Sequence, residues 1–345
     1  MKLSIIVPFY NAENHLDRCI KSLLNQNINS EDYEIILIDD GSVDGGSKIA
    51  DYFAHAYKNI STYSQENKGL GASRNIGMRL AKGNYVYFID SDDYLAHNTI
   101  GNILGYAQKF DLDIVGFNTI PTTETGMYTT KSKLEFRKPK VLKGEDFLVK
   151  HKYHRLEAWW YLIKREYLMK KGFKFEEGKF MEDAVFTFNI FLEADKTMFL
   201  PVDAHRYVKT HDSIMNNNDK NHLVKVIDDY ISLVMRFNDL SNQVKAKQYS
   251  NANEITKSIK YKSVVSVYFM FFKILKSRLS VFRIHKMLSE LKKIGVYPLK
   301  GFIGEQYNHK KFKLTAFVFN HKYLFYLSLY PIRVLYRLKL INLDL

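Results

Sequence analysis

With 345 residues, 46% of them hydrophobic, the chain is long enough to bury a full α/β core and still carry an appendage. A single cysteine, Cys19, excludes an intrachain disulfide and any cysteine-rich zinc site, which suits a reducing compartment. The net charge of +14 is uneven: residues 1–219 hold 28 Lys/Arg against 30 Asp/Glu, and residues 220–345 hold 23 against 7, so a nearly neutral body carries a basic tail piece. Met1-Lys2-Leu3-Ser4 runs straight into a strand pattern with neither region of a signal peptide, and the expectation is a cytoplasmic protein.

Short apolar runs rich in β-branched residues read as strands at 3–7, 33–38, 60–64, 85–89 and 113–117. Helical patterns alternate with them at 12–24, 43–57, 72–80 and 98–110, which predicts an α/β fold with a mostly parallel, doubly wound sheet. The Thr- and Lys-rich segment 119–142 reads as a hairpin or loop over the site, and 144–175 as a helix and an apolar wall. At Asn216-Asn217-Asn218 the texture changes to long Lys-dotted helical patterns, which sets a catalytic body at 1–215 and a basic helical extension at 216–345. No internal repeat is visible.

Ligands of such sheets bind beyond the carboxyl ends of the strands, and the polar residues fall there. Pro8, Tyr10 and Asn11 close the first strand; Asp39, Asp40 and Ser42 close the second; Asp90, Ser91, Asp92 and Asp93 follow the fourth. Three carboxylates within four residues repel one another, and burying them is costly unless a cation compensates. Hard oxygen ligands without a Cys or His cluster favour Mg²⁺ or Mn²⁺; a solvated acidic turn is the alternative. Asp39 and Asp40 suit base or ribose donors, while Ser42 or Asp44 suits a helix cap. Lys68, Gly69, Gly71 and Arg74 open a helix with exposed amides and cations, a setting for a diphosphate. Glu182-Asp183 reads either as acids favoured at a helix start or as a general base with its neighbour.

The motifs VPFYN, IDDGSVDG, ENKGLGASRN, FIDSDD and MEDAVF, in this order and at these spacings, resemble glycosyltransferase family 2, whose members have the GT-A fold, over roughly residues 2–215. The resemblance implies an inverting transferase that uses a nucleotide-diphospho-sugar, commonly a UDP-sugar, with Mn²⁺ or Mg²⁺. By position it gives Pro8, Tyr10, Asp40 and Arg74 to the nucleotide; the reading of the loops adds Asp39, Ser42, Lys68, Gly71 and Ser91 as nucleotide-sugar-binding candidates. It gives Asp90 to the ribose or donor sugar, Asp92 to the metal, Asp183 to the acceptor proton, and Glu182 to orienting the acceptor or supporting the site. The segment 205–214 resembles the family's basic loop near the diphosphate, but Val208 stands where an Arg often follows the tyrosines. That leaves Lys209, Arg206 or His211 to serve, with His211 a candidate for the metal or the phosphates. One of Trp159 and Trp160, about 100° apart on a helix, would stack on an acceptor sugar; core packing for both is the alternative.

In the extension, the apolar run 264–272 is too short to span a bilayer, and 314–319 and 323–332 are broken by Asn320-His321-Lys322. Flanking Lys310, Lys311, Lys313, Arg333, Arg337 and Lys339 suggest helices lying in an anionic membrane interface; a helical cap on the catalytic body is the plainer reading. The expected partners are a sugar-nucleotide donor, a glycan or lipid-linked saccharide acceptor and the inner membrane face, in synthesis of capsule, exopolysaccharide or lipopolysaccharide. A nucleic-acid binder is disfavoured because the tail's aromatic residues sit in apolar blocks. A sensor is disfavoured by the intact Glu182-Asp183 pair. A nucleotidyltransferase is disfavoured because no Gly-rich loop with a Lys follows the first strand.

Overall fold

Strands β1 (Leu3–Phe9) and β2 (Tyr33–Asp39) are buried along their whole length, as strands covered by helices on both faces must be. They pair in parallel with each other and with β3 (Ile60–Ser64) and β4 (Tyr85–Phe88), in the order β3-β2-β1-β4. Helices α1 (Leu16–Leu24), α2 (Gly46–Ala56) and α3 (Leu70–Leu80) supply the crossovers. The molecule is described by a computed structural model over residues 1–136, 139–210, 217, 219–300 and 309–343.

Beyond β4 the sheet changes character. The short β7 (Tyr161–Lys164) inserts antiparallel between β4 and β6 (Ile114–Thr122), β6 runs parallel to β8 (Thr197–Val208), and β8 is antiparallel to β5 (Tyr94–Leu95). Four of the seven strand pairings are parallel, so the mostly parallel α/β reading stands with an antiparallel insertion. Helices α4 (Ile100–Lys109), α5 (Gly144–Lys150), α6 (Arg165–Lys171) and α7 (Glu182–Leu192) complete this unit.

Of the hairpin or loop expected at 119–142, the described residues form a loop: β6 extends to Thr122, and Leu142 bridges to Thr197. One expectation changes. Helices α1 and α2 start later than the periodicity suggests because Ala12–His15 and Ser42–Gly46 are held as hydrogen-bonded turns, which serve the site instead of the helix.

The chain divides into two compact units, Met1–Thr210 and His211–Leu345. The second contains α8 (Lys220–Ala246), α9 (Ala252–Lys276), α10 (Val281–Lys293), α11 (Lys310–Asn320) and α12 (Lys322–Arg337). Asp219 caps α8 through the amides of Asn221 (2.9 Å) and His222 (3.0 Å), and Ser280 caps α10. Phe271 of α9 stacks on Phe319 of α11 with 4.5 Å between ring centroids and meets Phe325 of α12 edge-on at 4.8 Å, which makes an aromatic core. No helix among the described residues is long and apolar enough to cross a membrane. Pro331 does not end α12, which continues to Arg337.

Candidate active site at the strand ends

The loops after β1 and β2 are stapled together by side chains. Asp39 accepts from the Ser42 amide (2.8 Å) and the Ser47 hydroxyl (2.5 Å), Ser42 Oγ accepts from the Asn11 amide (3.0 Å), and Asn11 Oδ1 accepts from the Val43 amide (2.9 Å). Asp40 reaches the next loop: Oδ1 accepts from Gln65 Nε2 (2.7 Å) and the Lys68 amide (3.0 Å), and Oδ2 from the Gly69 amide (2.8 Å). Both aspartates are buried, and each one's oxygens organise a loop. Gly69, at φ +87°, lets the chain turn back to meet Asp40 before α3 begins. Pro8 is buried within β1, whereas the Tyr10 ring and Lys68 are exposed at the rim.

Arg74 is the centre of the arrangement. Its guanidinium donates to Asp90 Oδ1 at the end of β4 (2.7 Å) and, through its other nitrogen, to Glu182 Oε1 at the start of α7. The side chain is 1% exposed, and its ring-facing side lies over Phe175, 5.4 Å from the centroid. Burial opposes its charge, yet Asp90, Glu182 and Asp183 more than offset this and raise its pKa. Gly71, one turn earlier, permits the approach: a Cβ there would lie 2.2 Å from the Glu176 carbonyl oxygen and 3.2 Å from Glu182 Cγ.

Asp183 follows Glu182 directly. Burial and the neighbouring Glu182 raise its carboxyl well above the ordinary carboxylate range, against the pull of Arg74. Glu182 is raised by burial as well, with Arg74 opposing. A carboxylate held at such a pKa takes a proton more readily than one in water, which is what a general base requires.

The turn after β4 carries the other acids. Asp93 Oδ1 accepts from the Val208 amide (2.8 Å), Arg18 donates to the Asp92 carbonyl, and Asp92 Oδ2 accepts from the Thr210 hydroxyl at 3.4 Å. Burial, then the charges of Asp93 and Asp90, push Asp92 up to about 7. Asp90 is tied to Arg74 and Asp93 to a backbone amide, so Asp92 is the carboxylate with the weakest cover. Among the described residues no group of three or more His, Cys, Asp or Glu stands close enough to cage an ion. If a hard dication binds at this turn, Asp92 is the carboxylate that would hold it. Ser91, in the same turn, is partly buried. His211 lies outside the described residues.

Two earlier expectations are corrected here. Trp159 and Trp160 lie ahead of β7 and not on a helix, and both are buried, so neither presents a bare face to an acceptor. Trp160 stacks on Phe191 (5.0 Å, 5° between planes) above Gly116, while Trp159 stacks on His205 (4.6 Å) and Tyr207 (5.7 Å). Arg206 also faces inward: it donates to the carbonyls of Met127 (3.0 Å) and Thr129 (2.9 Å) and holds that loop. Lys209, the other described candidate in that segment, is exposed.

Sequence reasoning missed two supports of the acidic turn. Arg18 grips it from α1, and its signal was a cation set within the buried stripe Leu16, Cys19, Ile20 and Leu23. His205 Nε2 sits 3.1 Å from Asp93 Oδ2 without the alignment of a hydrogen bond, and burial lowers its pKa to about 3, so it is neutral. Nothing local in the sequence pairs residues 93 and 205.

The family described as Glycosyl transferase family 2 matches residues 4–172. A cholesterol galactosyltransferase of Borreliella burgdorferi is 34% identical over 209 residues, 58% of this chain and 58% of that protein. A poly(ribitol-phosphate) beta-glucosyltransferase of Bacillus spizizenii is 33% identical over 204 residues, 57% of this chain and 30% of that one. The chain thus spans less than two thirds of the length of these curated relatives. The crystal structure of S. aureus TarS 1–349 in complex with UDP-GlcNAc has a TM-score of 0.64 at 17% identity, covering 98% of this chain and 92% of that one, a likeness of fold.

Proposed function

This chain belongs to glycosyl transferase family 2, and from that premise we propose that it moves a sugar, with inversion, from a UDP-linked or similar nucleotide-diphospho-sugar to a hydroxyl of a glycan acceptor. The observation that carries the reading is Arg74, which ties Asp90 on the donor side to Glu182, the neighbour of a base-like Asp183, on the acceptor side. Tyr10 and Lys68 at the rim meet the nucleotide, Asp90 meets the ribose or donor sugar, and the loops shaped by Asp39, Asp40 and Ser42 frame the pocket.

Asp183 takes the proton of the attacking hydroxyl while the bond from the anomeric carbon to the diphosphate breaks in line on the opposite side. Glu182, pinned by Arg74, keeps the base oriented and keeps its basicity high. A Mn²⁺ or Mg²⁺ ion on Asp92, when bound, would neutralise charge on the departing diphosphate. One displacement suffices, so the anomeric configuration inverts.

The relatives' names give cholesterol and poly(ribitol phosphate), and the aligned segments cover 58% and 30% of those proteins. This supports an acceptor chosen outside the aligned segment, and we assign a lipid-linked saccharide, handled at the inner membrane face during cell-surface polysaccharide synthesis. The test is Asp183→Asn assayed with a panel of sugar nucleotides. Transfer is expected to fall by about 10² to 10⁴ with donor affinity kept, the usual worth of a general base. Unaltered transfer would remove Asp183 from this role.

A further inference from the structure

We infer that the outward face of α11 and α12 is a docking surface for an anionic membrane leaflet. Helix α12 is apolar on two sides. Its inner side buries Phe325 and Leu329 in the aromatic core of the second unit. Its outer side carries Tyr323, Leu327 and Tyr330, with exposures of 81, 76 and 78%, and Leu338, just past its end, is 63% exposed. These positions recur at helical spacing, so they form one stripe. Helix α11 repeats the arrangement, with Ala316 and Phe319 inside and Leu314 and Phe317 more than half exposed. A helix whose core contacts are already made gains nothing in water from a second apolar stripe, and a contiguous exposed patch of this kind marks an interaction surface.

Charge selects the occupant. Residues 309–343 contain seven Lys/Arg and no Asp or Glu. Arg333 is occupied by the carbonyls of Leu279 (3.0 Å) and Ile274 (3.1 Å), which leaves six cations around the stripe. A second copy would meet the same unrelieved positive charge. A nucleic acid would satisfy the cations and leave the leucines against phosphate and water. An anionic leaflet satisfies both, with tyrosines at headgroup depth, leucines in the acyl boundary and lysines at the lipid phosphates. Since no described helix crosses a membrane, the surface lies along the leaflet.

This docking does not depend on the transfer reading, and its test uses no sugar nucleotide. The full chain is sedimented with vesicles containing phosphatidylglycerol and with vesicles of phosphatidylcholine alone, at low and high salt. Binding is expected for the anionic vesicles at low salt only. The pair Leu327→Ser and Tyr330→Ser is expected to lower partitioning by about tenfold or more. Lys310→Glu with Lys311→Glu, on exposed side chains, should lower it by about fivefold per cation removed and keeps the test open should the serine pair fail to fold. Equal binding to neutral vesicles, or binding unchanged in both variants, overturns the inference. So does a lipid-free dimer, or retention on RNA, that the serine substitutions abolish.

Discussion

The unit Met1–Thr210 keeps charge inside, with a fully buried arginine between carboxylates and a near-balanced composition. The unit His211–Leu345 does the opposite: its outer helices show leucine and tyrosine to the surroundings, ringed by cations. Each arrangement is costly in isolation. Buried carboxylates lose hydration, and exposed apolar stripes order water. Cost without structural return marks function, and the two costs name different ligands: a small charged molecule with its counterion in one unit, an extended amphipathic surface in the other.

The sharpest way to break this contrast is to remove the buried cation. Arg74→Gln would leave Asp90, Glu182 and Asp183 without compensation, and urea denaturation should show a loss of about 3–5 kcal/mol at neutral pH. A loss below about 1 kcal/mol would mean that the carboxylates are hydrated and that the hub is incidental.

A smaller effect of opposite sign is expected at Asp92. Its folded pKa is raised from an ordinary 3.8 to about 7, so its stabilising protonated form is fully present below about pH 4 and is lost as pH rises through 7. Asp92→Asn, which mimics that form, should therefore stabilise the metal-free protein at pH 8 and leave it nearly unchanged at pH 4. At about 1.4 kcal/mol per pH unit the gain is at most about 4 kcal/mol, and about half that with solvent screening. Equal melting temperatures of the two proteins at pH 8 would deny Asp92 its strained setting.

The smallest expected effect lies in the other unit. Leu327→Ser should change stability in water by no more than about 0.5 kcal/mol, while Phe325→Ala, two residues away and fully buried, should cost about 3–5 kcal/mol. Similar losses from both, measured by denaturant unfolding, would show that the outer stripe is part of the unit's core.

Much of the sheet was legible because β1, β2 and β4 are largely apolar and buried along their whole length, whereas the edge strand β3, Ile-Ser-Thr-Tyr-Ser, is buried only at its first residue. The antiparallel insertion of β7 was not, since Tyr161 to Lys164 reads locally as a continuation of the aromatic run before it. The acids at the strand ends stood out by mutual repulsion. What joins them did not: Arg74 meets Glu182 across 108 residues, and periodicity speaks only of neighbours along one element. Trp159 and Trp160 misled because a pair of large rings reads the same in a platform and in a stacked core. Only Phe191 and His205, brought over them by other elements, separate the two.

The close approach of α3, at Gly71, to the segment leading into α7 sets a gauge. With no side chain between them, the helix bearing Arg74 and the segment leading into Asp183 touch backbone to backbone, and any larger residue at 71 would strike the Glu176 carbonyl. The spacing between Arg74 and the acidic pair at the start of α7 is therefore held by the scaffold, and adjustment to a larger ligand falls to the rim loops.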